Sequence, residues 1–158
     1  MTIDPAGDVT EEQEQNASAD RSSVKSTGLL TGPGLEIRRA HFPGRAPVDS
    51  YGGGGFRFAE MSHRGSIMLL PSGIYGWNAQ TLADIAPETL KQLSSEEGLE
   101  LMLFGTGTDL APLSLRAERY LSTLGLRAEV MATGAAARTF NVLLGEGRPV
   151  GAALLAVD

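Results

Sequence analysis

The chain has 158 residues, 42% of them hydrophobic and 20% charged, which predicts one globular domain with a buried core and argues against fibrous or membrane classes. Its formal net charge of −6 gives no basic face for nucleic acid, so we expect no DNA or RNA partner. The absence of cysteine excludes disulfides, thiol catalysis and thiolate zinc sites.

The first 27 residues are acidic and polar. They hold six acids against two bases, a charge of −4, which leaves 13 acids against 11 bases, or −2, for the rest. Ordering them would cost conformational entropy without burying apolar surface. We therefore expect a disordered acidic tail over residues 1–27 and a single α/β domain over residues 28–158.

No secretory or organellar signal is evident at this end of the sequence, and no apolar run reaches the length that spans a bilayer. We expect a cytoplasmic protein of bacterial type that does not insert into the membrane.

Short strands and glycine-rich turns dominate the first half of the domain. Residues 35–37 alternate as a first strand would, and residues 48–51 predict a second. The four glycines at 52–55 predict a bend, because glycine adopts positive φ without steric cost.

An apolar pattern then continues to the middle of the chain. We interpret residues 56–58 and 67–70 as a hairpin with a turn at 62–65 and a central second strand. Residues 72–86 predict a long connection, and Pro87 suits the first position of a short helix.

The second half alternates strands with helices. One helix has a single apolar stripe and ends at Gly125, and Thr133 is a candidate N-cap for the next. This alternation predicts a parallel or mixed sheet with right-handed crossovers. The predicted order is strand 99–104, helix 112–124, strand 126–131, helix 133–146 and strand 150–157.

The loops at residues 105–109 and 132–135 both follow strands and precede helices. Parallel strands would bring them to one sheet edge, where ligands often bind in α/β folds and where helix N-termini attract anions. The candidate anion- or ligand-binding residues are Gly105, Thr106, Gly107, Thr108, Thr133, Arg138 and Asn141.

Arg138 and Asn141 have alternative interpretations. A cation in the first turns of a helix is disfavoured by the helix dipole unless something compensates. A bound carboxylate or phosphate would compensate, and so would Glu129, Asp109 or solvent. Asn141 lies off the apolar stripe of its helix, where it is either exposed or bonded to a loop.

No catalytic or cofactor motif is complete. Gly105 and Gly107 start a dinucleotide-like pattern that lacks its third glycine, and no phosphate-loop motif occurs. His41 and His63 are far apart and lack carboxylates at ligand spacing. We therefore predict no catalytic residue, no metal site and no cofactor.

Tyr75 and Trp77 are the candidate partner-binding residues, because Trp and Tyr dominate interface hot spots. The alternative is that they fill the core from a loop.

Taken together and in this order, several segments resemble the Mth938-like family (domain of unknown function 498), to which the mitochondrial complex I assembly factor 3 belongs. They are residues 51–58 (YGGGGFRF), 65–74 (GSIMLLPSGI) with Trp77, 103–107 (LFGTG), 129–131 (EVM), 135–144 (AAARTFNVLL) and 146–148 (EGR).

The resemblance implies a three-layer α/β fold with a mixed central sheet and an N-terminal β-hairpin region, and neither a cofactor nor an established enzymatic activity. It also implies protein partners, among them subunits of a membrane respiratory complex. The leading hypothesis is thus a non-enzymatic interaction or assembly protein. The alternative is a small-molecule or anion-binding protein, conceivably an enzyme, that uses the loops after strands 99–104 and 126–131.

Overall fold

The computed structural model of the chain describes residues 42–158. The predicted tail, the predicted strand at 35–37 and His41 lie outside the described residues, so those predictions remain predictions.

Nine strands and two α-helices make up the described part of the chain, with three short 3-10 turns between the sixth and seventh strands. The strands are β1 (Phe42–Pro43), β2 (Val48–Gly52), β3 (Gly55–Phe58), β4 (Met61–Arg64), β5 (Ile67–Leu70), β6 (Gly73–Gly76), β7 (Leu101–Gly105), β8 (Arg127–Met131) and β9 (Val150–Leu154). The 3-10 turns are Leu82–Asp84, Pro87–Thr89 and Lys91–Ser95, and the helices are α1 (Leu115–Thr123) and α2 (Thr133–Gly145).

Six strands form a mixed central sheet in the order β1-β6-β5-β9-β7-β8. β9, β7 and β8 are parallel, whereas β5 is antiparallel to both β9 and β6. β5 and β9 are buried along their whole length, as expected for strands that are covered on both faces. The predicted strand–helix–strand–helix–strand arrangement and the mixed sheet are confirmed.

A second, three-stranded antiparallel sheet has the order β2-β3-β4. Its first turn uses Gly53 and Gly54, which have φ of 60° and 83°. The expected turn at residues 62–65 is wrong for residues 62–64, because they lie within β4, and the chain turns between β3 and β4 at Ala59 and Glu60, both with positive φ. β3 therefore pairs with β4, and the apolar β5 is free to enter the central sheet.

Two other sequence predictions need correction. Residues 72–86 are not one irregular connection, because they contain β6, which pairs with β5. Thr133 is the first residue of α2 and Ala132 is its N-cap. The Thr133 hydroxyl bonds to other loops instead of capping its own helix.

The core has two halves, one on each face of the central sheet. One half packs α2 and the three-stranded sheet against the face that carries Leu69, Leu103 and Ala152. The other packs α1 and the 3-10 turns against the face that carries Met68 and Met102. This is the predicted three-layer α/β architecture.

Candidate functional site

The two candidate loops meet at the carboxyl ends of β7 and β8. The Thr106 N–H donates to the Met131 carbonyl at 2.9 Å, and the Thr133 N–H donates to the Gly107 carbonyl at 2.8 Å. A side chain at Gly105 would not fit, because its Cβ would lie 2.8 Å from the Thr133 Cα. The structure thus brings together the loops that the sequence placed on one edge.

Most polar groups of these loops bond to the protein itself. The fully buried Thr133 hydroxyl accepts from the Gly107 N–H at 2.9 Å and donates to the Leu155 carbonyl at 2.8 Å. The Thr106 hydroxyl donates to the Asp109 carbonyl and accepts from the Ala111 N–H. These bonds set the shape of the edge and leave fewer donors for a ligand.

The side chains of Arg138, on the second turn of α2, and Tyr51, on β2, approach the first turn of α2. A Cβ placed on Gly134 would clash with the Tyr51 hydroxyl oxygen and fall 3.4 Å from Arg138 Nη1, so both side chains approach this glycine. Arg138 and Thr108 are exposed. Anion binding at this edge stays a prediction, and a ligand there would meet Arg138 and Thr108 before the buried threonines.

Within residues 42–158 three ion pairs occur, and Arg138 belongs to none of them. They are Arg116–Glu88, Arg127–Glu129 and Arg148–Glu146. Neither Glu129 nor Asp109 therefore neutralises Arg138 in this structure.

Asn141 lies on α2 and holds β2. Its Nδ2 donates to the Val48 carbonyl and its Oδ1 accepts from the Val48 N–H, both at 2.8 Å. Both polar ends of the amide are thus engaged with the backbone of one residue. Of the sequence alternatives, the bonded one is observed, with a strand as the partner.

The two aromatic candidates differ in accessibility. Trp77 is 8% exposed, and its indole N–H donates to the Thr89 carbonyl at 2.9 Å, so it fills the core beside the 3-10 turns. Tyr75 is half-buried, and its hydroxyl bonds to Ser72 Oγ at 2.7 Å. Partner binding by this pair stays a prediction.

The most exposed large apolar side chains lie elsewhere. Leu110 is 64% exposed in the loop after β7, and Leu115 is 59% exposed at the start of α1. Sequence reasoning did not single them out, although Leu115 falls outside the apolar stripe of its helix. Exposed leucines of this kind are typical of protein contacts when they lie together. Tyr51, 42% exposed, was also missed, because nothing local links β2 to the first turn of α2.

Two carboxyl groups have a lowered pKa, and in each case the cause is a hydrogen bond within the structure. Hydrogen bonds from the Gln80 and Thr81 N–H groups lower the pKa of Asp84, and the hydrogen bond from Arg116 lowers the pKa of Glu88. The first caps a 3-10 turn and the second ties a neighbouring turn to α1.

Among the described residues, no group of three or more His, Asp or Glu side chains is placed to hold a metal ion. In the same part of the chain, no helix has the length and apolar character needed to cross a bilayer.

Comparison with known proteins gives a family match over most of the described chain. The family model described as "Protein of unknown function (DUF498/DUF598)" matches residues 48–155. An uncharacterised protein of Rhodobacter capsulatus is 42% identical over 118 residues, covering 75% of this chain and 90% of that protein. A mouse protein named NADH dehydrogenase [ubiquinone] 1 alpha subcomplex assembly factor 3 is 31% identical over 122 residues, covering 77% of this chain and 66% of that protein.

Solved structures agree on the fold. A Bartonella henselae protein described as an outer membrane protein is similar with a TM-score of 0.68 and 48% identity, covering 75% of this chain and 100% of that chain. A Bordetella pertussis protein described as a Mth938-like domain has a TM-score of 0.60 and 29% identity, covering 82% of this chain and 92% of that chain.

Proposed function

The chain belongs to the DUF498/DUF598 family of proteins of unknown function, and from that premise we propose that it helps to assemble a respiratory NADH dehydrogenase complex by binding other proteins. The observation that carries the proposal is the similarity to proteins named as assembly factors of that complex in several animals. The chain spans just under two thirds of the length of the mouse factor, so the role is proposed for the shared domain.

The site geometry supports binding more than chemistry. The hydroxyls of Thr106 and Thr133 already bond to backbone groups, so neither is set up as a nucleophile or proton carrier. Leu110, in the loop after β7, and Leu115, at the start of α1, instead offer exposed apolar area. We propose that the loop from Leu110 to Leu115 contacts a subunit of the complex from the cytoplasmic side.

Deletion and complementation in the native host test the role. We expect loss of the gene to lower NADH:quinone oxidoreductase activity and to accumulate partial complexes on native gels. The Leu110→Ser, Leu115→Ser double variant should fail to restore assembly. Val142→Ser is the matched control, because Val142 on α2 is also 59% exposed but lies outside this loop.

Two outcomes would count against the proposal. A deletion strain with normal complex and normal activity would remove the assembly role. Full rescue by the double leucine variant, with equal protein levels, would remove this loop as the contact. Affinity capture of the wild-type chain, followed by mass spectrometry, would then look for subunits bound at another surface.

A second candidate function is binding of a small anion at the first turn of α2, favoured by Arg138, which is exposed, approaches Gly134 and belongs to none of the ion pairs within residues 42–158. Under this hypothesis phosphate or a small carboxylate would raise the melting temperature of the wild-type chain and not that of Arg138→Gln. An unchanged melting temperature in the wild type would reject it.

A further inference from the structure

We propose that two copies of this chain associate through the outer edge of β8, so that their central sheets join in an antiparallel pair centred on Ala128. This inference does not depend on the assembly role. It concerns a sheet edge that the candidate site does not use.

The two edge strands of the central sheet differ in how open they are to pairing with a further strand. One edge is β1, whose described residues are Phe42–Pro43 and which therefore includes a proline, a residue that blocks strand pairing. The other edge is the five-residue β8, where Arg127, Ala128 and Glu129 are all exposed. Among residues 42–158, no strand pairs with the outer side of β8.

The backbone of β8 presents its free groups from alternate residues. The Arg127 N–H donates to the Glu100 carbonyl and the Met131 carbonyl accepts from the Thr106 N–H, so the odd-numbered residues bond toward β7. In a parallel pair the even-numbered residues then direct their N–H and carbonyl groups outward. Ala128 and Val130 therefore offer both groups to a new strand, whereas Leu126 offers only its carbonyl, because its N–H donates to Leu121.

These free groups match a second copy of the same strand. With a two-fold axis at Ala128, each Ala128 N–H would donate to the other Ala128 carbonyl. Each Val130 N–H would donate to the partner subunit's Leu126 carbonyl. Leu126 and Val130 both face the α1 side of the sheet, so their apolar side chains would also meet across the axis.

The charged side chains of β8, on the face away from α1, favour this register. Arg127 and Glu129 are two residues apart on one face and pair within the chain at 3.3 Å. Centring on Ala128 places each Arg127 directly opposite the partner subunit's Glu129. Centring one residue earlier or later would place Arg127 opposite Arg127 or Glu129 opposite Glu129, and like charges directly opposite are destabilising.

Sedimentation analysis of the full chain at concentrations up to about 1 mM tests the proposal, because an edge contact this short predicts a weak dimer. We expect a concentration-dependent monomer–dimer equilibrium. Ala128→Pro should leave only monomer, because it removes the central outward N–H. The monomer fold should survive, because proline is tolerated on an edge strand where that N–H faces solvent.

Charge exchange tests the register. Arg127→Glu alone should weaken the dimer roughly threefold to thirtyfold, because two attractive cross-strand pairs become repulsive. The double exchange Arg127→Glu, Glu129→Arg should restore the wild-type dissociation constant. Circular dichroism and the melting temperature of each variant separate lost pairing from lost folding.

Each other result overturns the proposal. A monomer at every concentration would mean that β8 does not pair with a second copy of itself. A dimer that survives Ala128→Pro would use a different surface. Failure of the double exchange to rescue Arg127→Glu would exclude pairing centred on Ala128.

Discussion

At the residue scale, Asn141 joins α2 to β2, because its side-chain amide hydrogen-bonds both the N–H and the carbonyl of Val48. We expect Asn141→Ala to lower the free energy of unfolding by about 1 to 3 kcal/mol, because it leaves a partly buried N–H and carbonyl without partners. Urea denaturation measures this. Val142→Ala is the neighbouring control, and an equal loss from both changes would contradict a special role for the amide.

Thr133 gives a second test that keeps the shape of the side chain. Thr133→Val fills the same buried volume but removes the hydroxyl that bonds Gly107 and Leu155. We expect a loss of about 1 to 3 kcal/mol in the free energy of unfolding.

Thr133→Ser is the control for that change, because it keeps the hydroxyl and loses one methyl group, so it should be the milder of the two. A valine variant as stable as the wild type, measured by the same denaturant titration, would mean that these hydrogen bonds contribute little.

The sequence predicts where the candidate site lies on the sheet, but not the contacts within it. It placed the loops around Gly105 and Thr133 together, because adjacent parallel strands end on the same side. It did not foresee that Thr133 would bond across both loops or that Tyr51 would lie over Gly134. Those contacts join residues far apart in the chain, and no local pattern encodes them.

At the element scale, two glycines at element ends differ in the space around them. A Cβ on Gly105 would lie 2.8 Å from the Thr133 backbone, whereas a Cβ on Gly145, at the end of α2, meets nothing within 4 Å. We expect Gly105→Ala to cost about 1 to 3 kcal/mol through overpacking. Gly145→Ala should instead stabilise by about 0.4 to 1 kcal/mol, because it restricts the unfolded chain.

Thermal unfolding of both glycine variants checks this contrast. Equal changes in melting temperature, in either direction, would show that the close approach of β7 to α2 is not a tight constraint.

The Leu82–Asp84 turn predicts a pH dependence. Hydrogen bonds from the Gln80 and Thr81 N–H groups lower the pKa of Asp84 in the folded protein. Because the folded pKa lies below the unfolded one, the carboxylate contributes stability above the unfolded pKa, and this is lost as the pH falls through the folded pKa. We expect Asp84→Asn to destabilise the protein at about pH 6 and to make little difference near pH 3.

Chemical denaturation at several pH values measures that difference. Asp109→Asn is the control, because Asp109 is exposed and belongs to none of the ion pairs within residues 42–158. A destabilisation by Asp84→Asn that is equally large at both pH values would rule out the carboxylate charge as its cause.

Elements with strong periodicity were predicted well, and short polar strands were not. The apolar stripe of α1 and the glycine at 125 marked that helix, whose end has φ of 74° at Gly125. β4, with the sequence MSHR, has no apolar alternation, so the sequence predicts a turn at 62–65 where the strand lies. β6 was missed because its two glycines are typical of loops, although it lies between two other strands in the sheet.

At the scale of the whole molecule, the fold class followed from the chain order of the second half, because strand–helix alternation permits few topologies. The placement of the three-stranded sheet did not follow from it. That sheet packs over the central one through Phe56 and Phe58, which are buried but carry no signal of their partner. The separation of the core into two halves by one sheet is therefore a result of the structure.

This division gives a test of whether residues 42–158 unfold as one unit. Trp77, the only tryptophan in the chain, lies in the half with α1, whereas Leu103 lies in the half with α2. We expect Leu103→Ala to lower the free energy of unfolding by about 2 to 5 kcal/mol, because it opens a cavity at a fully buried site. If the domain is cooperative, Trp77 fluorescence and far-ultraviolet circular dichroism should shift to the same lower denaturant midpoint.

Leu110→Ala is the control for that test, because the same substitution at a 64% exposed leucine should move neither midpoint by much. Suppose instead that the Trp77 transition stays at its wild-type midpoint while the dichroism shifts. The half with α1 would then be stable without the half with α2, because a substitution beneath α2 would leave the tryptophan environment intact. The central sheet would separate two units of unfolding, and the prediction of a single domain would be wrong in its thermodynamic sense.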